Sequence, residues 1–233
     1  MNYHISLYLC RQPGLLDPYD PQVVWDCGNN DPGLREAGPL AGYTHAGECS
    51  EFRSMSYGWS HHAPPLVLPE GRGFRVGGSD GDAAYVVLAI HYECCIKDVF
   101  TQHDDDSGLI LTLEPQSQEK PLTRVGTIVL DSFGILPPGR ETSVEVACRL
   151  NDSLTIHPIQ FTPHQHDAGR SLSFWKVSAG GEWSFLGKHE HQHHEPQRYY
   201  PLDQADLTME EGDFIAMRCS YNNTDPHKIL TVG

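Results

Sequence analysis

Two histidines one residue apart are the residues of this chain best suited to chemistry. His164 and His166 occur in the stretch "FTPHQHDAG". In a β-strand, side chains two positions apart lie on the same face, so two imidazoles can reach one metal ion. Imidazole nitrogen is a good ligand for copper and zinc. On this stretch alone, however, the plainer interpretation is favoured, in which two polar residues share a solvated strand face.

Two further histidines lie at the ends of apolar strand patterns. His4 stands in the first such pattern, and His91 ends the run "YVVLAIH". A basic group at the end of an apolar strand is costly to bury unless it is paired, exposed or bound to a metal. A strand-end histidine that reaches water stays the alternative for His91, as does an ordinary hydrogen-bonded histidine for His4.

The densest group of histidines lies in "KHEHQHHEPQ", residues 188–197, and we call it the histidine tract. Its members are His189, His191, His193 and His194. Such tracts bind metals without specificity, and this one is interpreted as a hairpin loop rather than a catalytic site. His157 falls on the opposite strand face from His164 and has at most a supporting role. His61 and His62 also fit a loop.

Charge and hydropathy exclude several classes of partner. The chain has 233 residues and a net charge of −15, with 31 acidic against 16 basic residues. Nucleic acids and anionic membranes require basic patches, so neither is expected as a partner. No apolar run approaches the roughly 18 residues that a transmembrane helix needs. The first residues resemble a strand without the basic start of a signal peptide, so a fragment of a longer protein is expected.

The hydrophobic pattern predicts an all-β protein. Short apolar and aromatic runs are separated by turns rich in Gly, Pro and Asp, and no long amphipathic helix is evident. Strands are predicted at 1–9, 51–59, 83–93, 107–115, 125–133, 142–150, 154–161, 172–178, 182–188 and 212–221. The polar segment 114–124 contains two prolines and is the best domain boundary. We therefore predict two domains, 1–117 and 118–233.

The cysteines and sequons favour an oxidising compartment. The seven cysteines are scattered, and none forms the C-x-x-C pairs of a structural zinc site. Their odd number leaves at least one without an internal partner. Asn151 ("NDS") and Asn222 ("NNT") begin N-x-S/T sequons, which mark candidate glycosylation sites. Together these features predict the secretory pathway or the extracellular space.

Several segments together resemble one enzyme family. They are "APPLVLPEGRGFRVGG" (63–78), "YVVLAIHY" (85–92), "ILPPGRE" (135–141), "HPIQFTPHQHDAGR" (157–170), "PQRYYPL" (196–202) and "GDFIAMRCSYNNTD" (212–225). The same segments occur in the same order in the copper type II, ascorbate-dependent monooxygenases, and the resemblance spans nearly the whole chain. It implies two antiparallel, jelly-roll-like β-sandwich domains that face a cleft, here truncated at both ends.

The resemblance implies one copper ion in each domain. His4 and His91 match ligands of the electron-transfer copper, whose remaining histidine ligand falls on Tyr3, a poor ligand for cuprous copper. His164 and His166 match ligands of the catalytic copper. That copper also takes a methionine, which in the family lies beyond the position of Gly233. Met209 and Met217 match neither that methionine nor its surroundings, and Met217 is expected to pack in the core.

The resemblance also assigns most of the cysteines. Cys10 and Cys49 match a disulfide-bonded pair. Cys27, Cys148 and Cys219 match cysteines whose partners lie outside this chain. Cys94 and Cys95 have no counterpart in the family. A vicinal pair of this kind can bind metal, although a free or strained thiol pair is the simpler interpretation.

The implied activity is hydroxylation of an activated C–H bond with molecular oxygen and ascorbate as reductant. The substrate is a peptide or a small molecule. A peptidylglycine α-hydroxylating enzyme is the first hypothesis, and a dopamine or tyramine β-monooxygenase is the second. Peptide-amidating members hold the substrate carboxylate with an arginine at the position of Thr162. A catalytically impaired copper-binding module, or an unrelated secreted β-sandwich that binds metal through the histidine tract, remain the alternatives.

Overall fold

The computed structural model describes most of the chain. It covers residues 2–17, 19, 23–28, 43–60, 62–78, 83–92, 108–115, 120–165, 168–190, 196, 198–204 and 206–232, with the backbone alone for Asn2, Tyr3 and Tyr92. Every regular element in these residues is a β-strand, which confirms the all-β prediction. None of the described segments forms a helix long and apolar enough to cross a membrane.

The chain contains two compact units. One comprises Met1–Ser60 and Pro65–Thr127, and the other His61–Pro64 and Ile128–Gly233. The strands are, in chain order, β1 (Asn2–Pro13), β2 (Cys49–Ser60), β3 (Arg72–Phe74), β4 (Tyr85–Tyr92), β5 (Thr123–Val125), β6 (Gly134–Leu136), β7 (Arg140–Arg149), β8 (Gln160–Phe161), β9 (Gly169–Val177), β10 (Trp183–Glu190), β11 (Tyr200–Pro201), β12 (Phe214–Asn223) and β13 (Leu230–Val232). The predicted boundary after residue 117 lies outside the described residues and stays a prediction.

The first unit is built on a three-stranded antiparallel sheet in the order β2-β1-β4. The central strand β1 buries Ile5, Leu7 and Leu9, as its alternating apolar pattern predicts. A disulfide between Cys10 and Cys49 joins β1 to β2 across a Cα–Cα distance of 5.4 Å. The bond agrees with the pairing that the family resemblance implies. A short parallel pair, β3 and β5, completes the described part of this unit.

The second unit contains a four-stranded antiparallel sheet in the order β10-β9-β12-β7. Along β12, Met217, Cys219 and Tyr221 belong to the buried core, whereas Arg218 between them is exposed. This face packs against apolar side chains from the short pairs β8–β11 and β6–β13, among them Phe161 and Leu136. The two layers around one core are typical of a β-sandwich. The expectation that Met217 packs in the core is confirmed.

A buried ion pair joins two strand ends of the second unit. The Lys176 ammonium lies 2.9 Å from the Asp213 carboxylate. The same carboxylate accepts hydrogen bonds from the backbone N–H groups of Glu210 at 2.9 Å and Ala179 at 3.1 Å. The hydrogen bond from Lys176, followed by that from Glu210, holds the pKa of Asp213 below its ordinary value. The ionised carboxylate therefore stabilises this unit.

Asn223 closes the other end of the sheet. Its side chain is 1% exposed, and Nδ2 faces the backbone oxygens of Leu136 at 3.2 Å, Pro137 at 3.1 Å and Lys228 at 2.7 Å. One buried amide thereby ties β12 to the segments around β6 and β13.

Gly187 of β10 leaves room for the ring of Phe161, because a Cβ on this residue would lie 2.6 Å from Phe161 Cε1.

Two predicted strands are absent from the described residues. Residues 108–115 form no strand, and Ile110 and Leu113 are 101% and 76% exposed. Residues 126–133 likewise lie between β5 and β6 without strand pairing. The preference of β-branched and apolar residues for strands depends on packing against a partner. Neither segment has such a partner among the described residues, which is why the predictions there are wrong.

Candidate metal centres

The first candidate centre is a cross-strand pair of histidines in the first unit. His4 of β1 is the direct partner of His91 of β4, and both side chains are half-buried. Side chains of such partners lie on one face of the sheet. The two rings are stacked with centroids 4.2 Å apart and planes inclined by 30°. Metal–imidazole bonds are about 2 Å long, so both rings can reach one ion, and their chemistry fits copper.

The strand β1 contains an irregularity beside this pair. Asn2 pairs with Tyr92 and His4 pairs with His91, so Tyr3 is an extra residue on β1. In a regular strand adjacent residues face opposite sides of the sheet, whereas a bulge sets two residues opposite one and redirects side chains. The backbone of β1 therefore departs from regular pairing directly beside His4 and His91.

The second candidate centre lies beyond the end of a strand. β8 ends at Phe161, and the exposed His164 stands in the irregular segment that follows. Pro163 has no backbone N–H to donate to a ladder, which accounts for the early end of the strand. The prediction that His164 stands on a strand is therefore wrong. His166, the other predicted ligand, lies outside the described residues.

Gln165, between the two histidines, is buried at 9% exposure. Its Nε2 donates to the backbone oxygen of Ser171 on β9 at 3.1 Å and approaches that of Ser220 on β12 at 3.5 Å. Burial raises the pKa of the neighbouring Tyr221 to about 12, so its phenol stays neutral in the physiological range. Sequence reasoning missed Gln165.

The remaining predicted histidines lie on other strands and turns or outside the described residues. His189 lies within β10, not in a loop as predicted, and its ring centroid is 4.7 Å from that of Tyr200. His157 is exposed between β7 and β8, and His62 is exposed in the turn after β2 with a φ of 61°. His61, His191, His193 and His194 lie outside the described residues.

Met209 and Met217, which were predicted not to be copper ligands, offer no thioether to the second centre. Met209 is 0% and Met217 5% exposed, and both belong to the interior. Within the described ranges, no group of three or more His, Cys, Asp or Glu residues could hold a metal ion. The described side chains thus supply two imidazoles at the first centre and His164 at the second.

The remaining cysteines and the sequons differ in exposure. Cys27, Cys148 and Cys219 are free thiols, and burial raises the pKa of Cys27 and Cys219. Cys94 and Cys95 lie outside the described residues. Asn151 is exposed just after β7, whereas Asn222 is half-buried within β12.

Both halves of the chain match domain profiles of one family. Residues 1–97 match the N-terminal domain and residues 122–233 the C-terminal domain of the copper type II ascorbate-dependent monooxygenases. A peptidyl-glycine alpha-amidating monooxygenase B of Xenopus laevis is 33% identical over 232 residues, covering 99% of this chain and 23% of the relative. The Rattus norvegicus peptidylglycine alpha-amidating monooxygenase is 28% identical, covering 99% of this chain and 21% of the relative.

A relative with a different name also matches. The MOXD1 homolog 1 of Drosophila melanogaster is 26% identical over 227 residues, covering 94% of this chain and 31% of the relative. The chain thus spans less than a third of the length of each of these relatives.

Proposed function

Because this chain belongs to the copper type II ascorbate-dependent monooxygenase family, we propose that it hydroxylates an activated C–H bond. One atom of molecular oxygen enters the C–H bond, and the other leaves as water with two protons. Ascorbate supplies the two electrons. Two copper ions are proposed, one for each of the domains 1–117 and 118–233.

The stacked pair of His4 and His91 is the observation that carries this proposal. Two imidazoles 4.2 Å apart on neighbouring strands form the start of a metal centre at the positions where the family resemblance expects one. The proposal assigns His4 and His91 to the electron-transfer copper.

His164 and His166 are proposed to hold the catalytic copper. When bound, copper supplies the one-electron redox chemistry that activates oxygen. The role of His164 is to present an imidazole from an exposed position, where a substrate can approach. Its neighbour Gln165 is buried, so the segment is fixed on its inner side and accessible on its outer side.

The substrate is proposed to be a peptide, on the basis of the amidating relatives. Thr162 stands where peptide-amidating members of the family carry an arginine, and a hydroxyl cannot form the bidentate ion pair that a guanidinium makes with a carboxylate. The Thr162 hydroxyl is buried and forms no hydrogen bond with the described residues. A phenethylamine, which has no carboxylate, is therefore the second candidate substrate.

The proposed location is the secretory pathway or the extracellular space. The disulfide between Cys10 and Cys49 supports this proposal, because such bonds persist in oxidising compartments. Exposure makes Asn151 a better glycan acceptor than Asn222, which lies within a strand. A glycosidase-sensitive mass shift that is lost in Asn151→Gln and kept in Asn222→Gln would support this order.

Copper stoichiometry and ascorbate-dependent oxygen consumption test the proposal together. The full chain is loaded with copper and supplied with a glycine-extended peptide or with a phenethylamine. We expect two bound coppers, one of which is lost in the His164→Ala/His166→Ala variant together with hydroxylation. His157→Ala is the matched control, since it removes an exposed histidine nearby and is expected to change neither result.

The same experiment separates the alternatives. Copper binding without oxygen consumption would favour the catalytically impaired copper-binding module. Tyr3 supports this alternative, because tyrosine is a poor ligand for cuprous copper. If copper is lost only when the four histidines of the histidine tract are substituted, the proposal is contradicted and the unrelated β-sandwich is favoured.

A further inference from the structure

The main sheet of the second unit is interrupted at one point near residues 162–168, which we call the histidine segment. In the β9–β12 ladder, Ser220 pairs with Ser171 and Tyr221 with Gly169, so Arg170 is an extra residue on β9. A bulge of this kind disrupts the ladder and leaves local backbone groups in need of other partners. The backbone oxygens of Ser171 and Ser220 lie directly beside the interruption.

Gln165 supplies the donor at this interruption. Its Nε2 lies 3.1 Å from the Ser171 oxygen and 3.5 Å from the Ser220 oxygen, and the side chain is 9% exposed. A primary amide carries two N–H donors on one nitrogen, so it can serve two carbonyls at once. A carboxylate of the same length has acceptors alone, and an apolar side chain has neither.

The hydrogen bonds of Gln165 connect the segment that carries His164 to the main sheet. The segment between Phe161 and Gly169 has no strand pairing among its described residues. Gln165 anchors its middle to two strands of the main sheet, while Tyr200 of β11 pairs with Phe161 at its start. The exposed His164 directly precedes Gln165, so the backbone of His164 is one peptide bond away from the anchored residue.

We propose that Gln165 is a positioning residue for the metal-binding His164, an inference that rests on the proposed function. It acts by holding the histidine segment on the β9–β12 bulge, not by contact with copper. Residues that orient metal ligands typically contribute about 10–100-fold to metal affinity.

The test isolates the second centre in a His4→Ala/His91→Ala background. Gln165→Leu removes the donors at nearly constant volume, and Gln165→Glu replaces them with acceptors. We expect both variants to bind Cu(I) about 10–100-fold more weakly in a chelator competition. We also expect a changed Cu(II) electron paramagnetic resonance spectrum and faster amide hydrogen exchange in residues 162–168 of the copper-free protein.

Asn223→Leu is the matched control. It also removes a buried amide that ties three backbone oxygens together, but at the β6–β13 end of the unit. We expect it to lower the urea midpoint while the copper affinity stays within about twofold and the spectrum is unchanged, because its partners lie outside the histidine segment.

The outcomes separate this inference from the proposed function. Unchanged copper affinity and spectrum in both Gln165 variants, in a parent that binds copper, would overturn the inference alone. Absence of copper binding in the parent would overturn the proposed second centre and the inference with it. An equal loss of affinity in Asn223→Leu would show general destabilisation and also overturn the inference.

Discussion

The two candidate centres are held by different kinds of structure. In the first unit, His4 and His91 stand opposite each other on paired strands, and the sheet itself sets their separation. In the second unit, His164 stands in a segment without strand pairing among its described residues. The buried amide of Gln165 ties that segment to the sheet, together with a hydrogen bond of 2.8 Å from the backbone N–H of Asn222 to the backbone oxygen of Ala168. The position of the first pair is therefore set by the strand pairing of a sheet, whereas the position of His164 depends on a few individual hydrogen bonds.

The scaffolds of the two units differ in a parallel way. A disulfide between Cys10 and Cys49 closes the sheet of the first unit. The described cysteines of the second unit, Cys148 and Cys219, are free, and the buried pair of Lys176 and Asp213 joins its strand ends instead. The covalent bond does not depend on protonation, whereas the ion pair is lost when acid protonates Asp213 below its ordinary pKa of 3.8. The comparison predicts that changes in pH and redox conditions act on different units.

Removal of the disulfide is expected to have the largest effect. The bond closes a loop with a sequence separation of 39, for which loop entropy gives about 4 kcal/mol of stabilisation. Cys10→Ala/Cys49→Ala should therefore lower the urea midpoint of the first unit, measured by hydrogen exchange of β1 and β4. The second unit should keep its midpoint, and Cys148→Ala, which removes an exposed thiol, serves as the control. An equal fall of the urea midpoint in both units would contradict the prediction that the disulfide stabilises the first unit alone.

Loss of the Asp213 carboxylate is expected to destabilise the second unit by roughly 1–3 kcal/mol, because the backbone N–H groups of Glu210 and Ala179 would lose their acceptor. Lys176 would keep its hydrogen bond to the backbone oxygen of Thr208. Asp213→Ala provides the change, and urea unfolding the measurement. Asp206→Ala, at an exposed carboxylate, should be nearly neutral.

The pH dependence of this effect follows from the lowered pKa of Asp213. Its stabilising contribution is fully present above the ordinary value of 3.8 and is lost as the pH falls through the lower folded pKa. The parent should therefore lose stability in that window, and Asp213→Ala should lack this component. A parent and variant with parallel acid titrations would contradict the assignment.

Tyr3→His is expected to strengthen the first centre. The family resemblance expects a histidine ligand at position 3, so a third imidazole there should raise Cu(I) affinity about tenfold or more, or ~1.4 kcal/mol. Chelator competition in a His164→Ala/His166→Ala background measures this centre alone. Tyr3→Phe changes the side chain without adding a ligand and should leave the affinity unchanged. No gain from histidine would mean that the strand pair does not accept a third ligand.

A predicted effect of similar size concerns substrate choice at the second centre. Thr162→Arg should improve binding of a peptide with a free terminal carboxylate by about tenfold over its amidated form, since a charged hydrogen bond contributes roughly 1.5 kcal/mol. The measurement is the ratio of KM values for the two peptides. Thr155→Arg adds the same charge at an exposed site and should leave the ratio unchanged. An equal shift in both variants would point to long-range charge alone.

Sequence reasoning succeeded where a pattern was decided by local alternation and burial. The strands β7, β9, β10 and β12 lie where alternating apolar residues predicted them. It failed at residues 108–115 and 126–133, where apolar residues were as frequent but paired with no neighbour. Pairing is a long-range property, so composition within one segment cannot reveal it.

The same limit applied to the candidate site. His4 and His91 could be proposed as a pair through the family resemblance, but their facing register required the sheet. Gln165 was overlooked because its role depends on carbonyls of Ser171 and Ser220, which belong to two strands distant in sequence. The prediction that His164 stands on a strand was wrong, although the missing donor of Pro163, which accounts for the early end of β8, was visible in the sequence.

Gly187 has an evolutionary consequence. The absence of a side chain at this position of β10 leaves room for the ring of Phe161, the last residue before the histidine segment. A larger residue at 187 would be tolerated together with a smaller one at 161. Lineages that diverge in one position are therefore expected to diverge in the other, and substitutions at this pair are expected to arise in a constrained order, with the smaller residue at 161 preceding the larger one at 187.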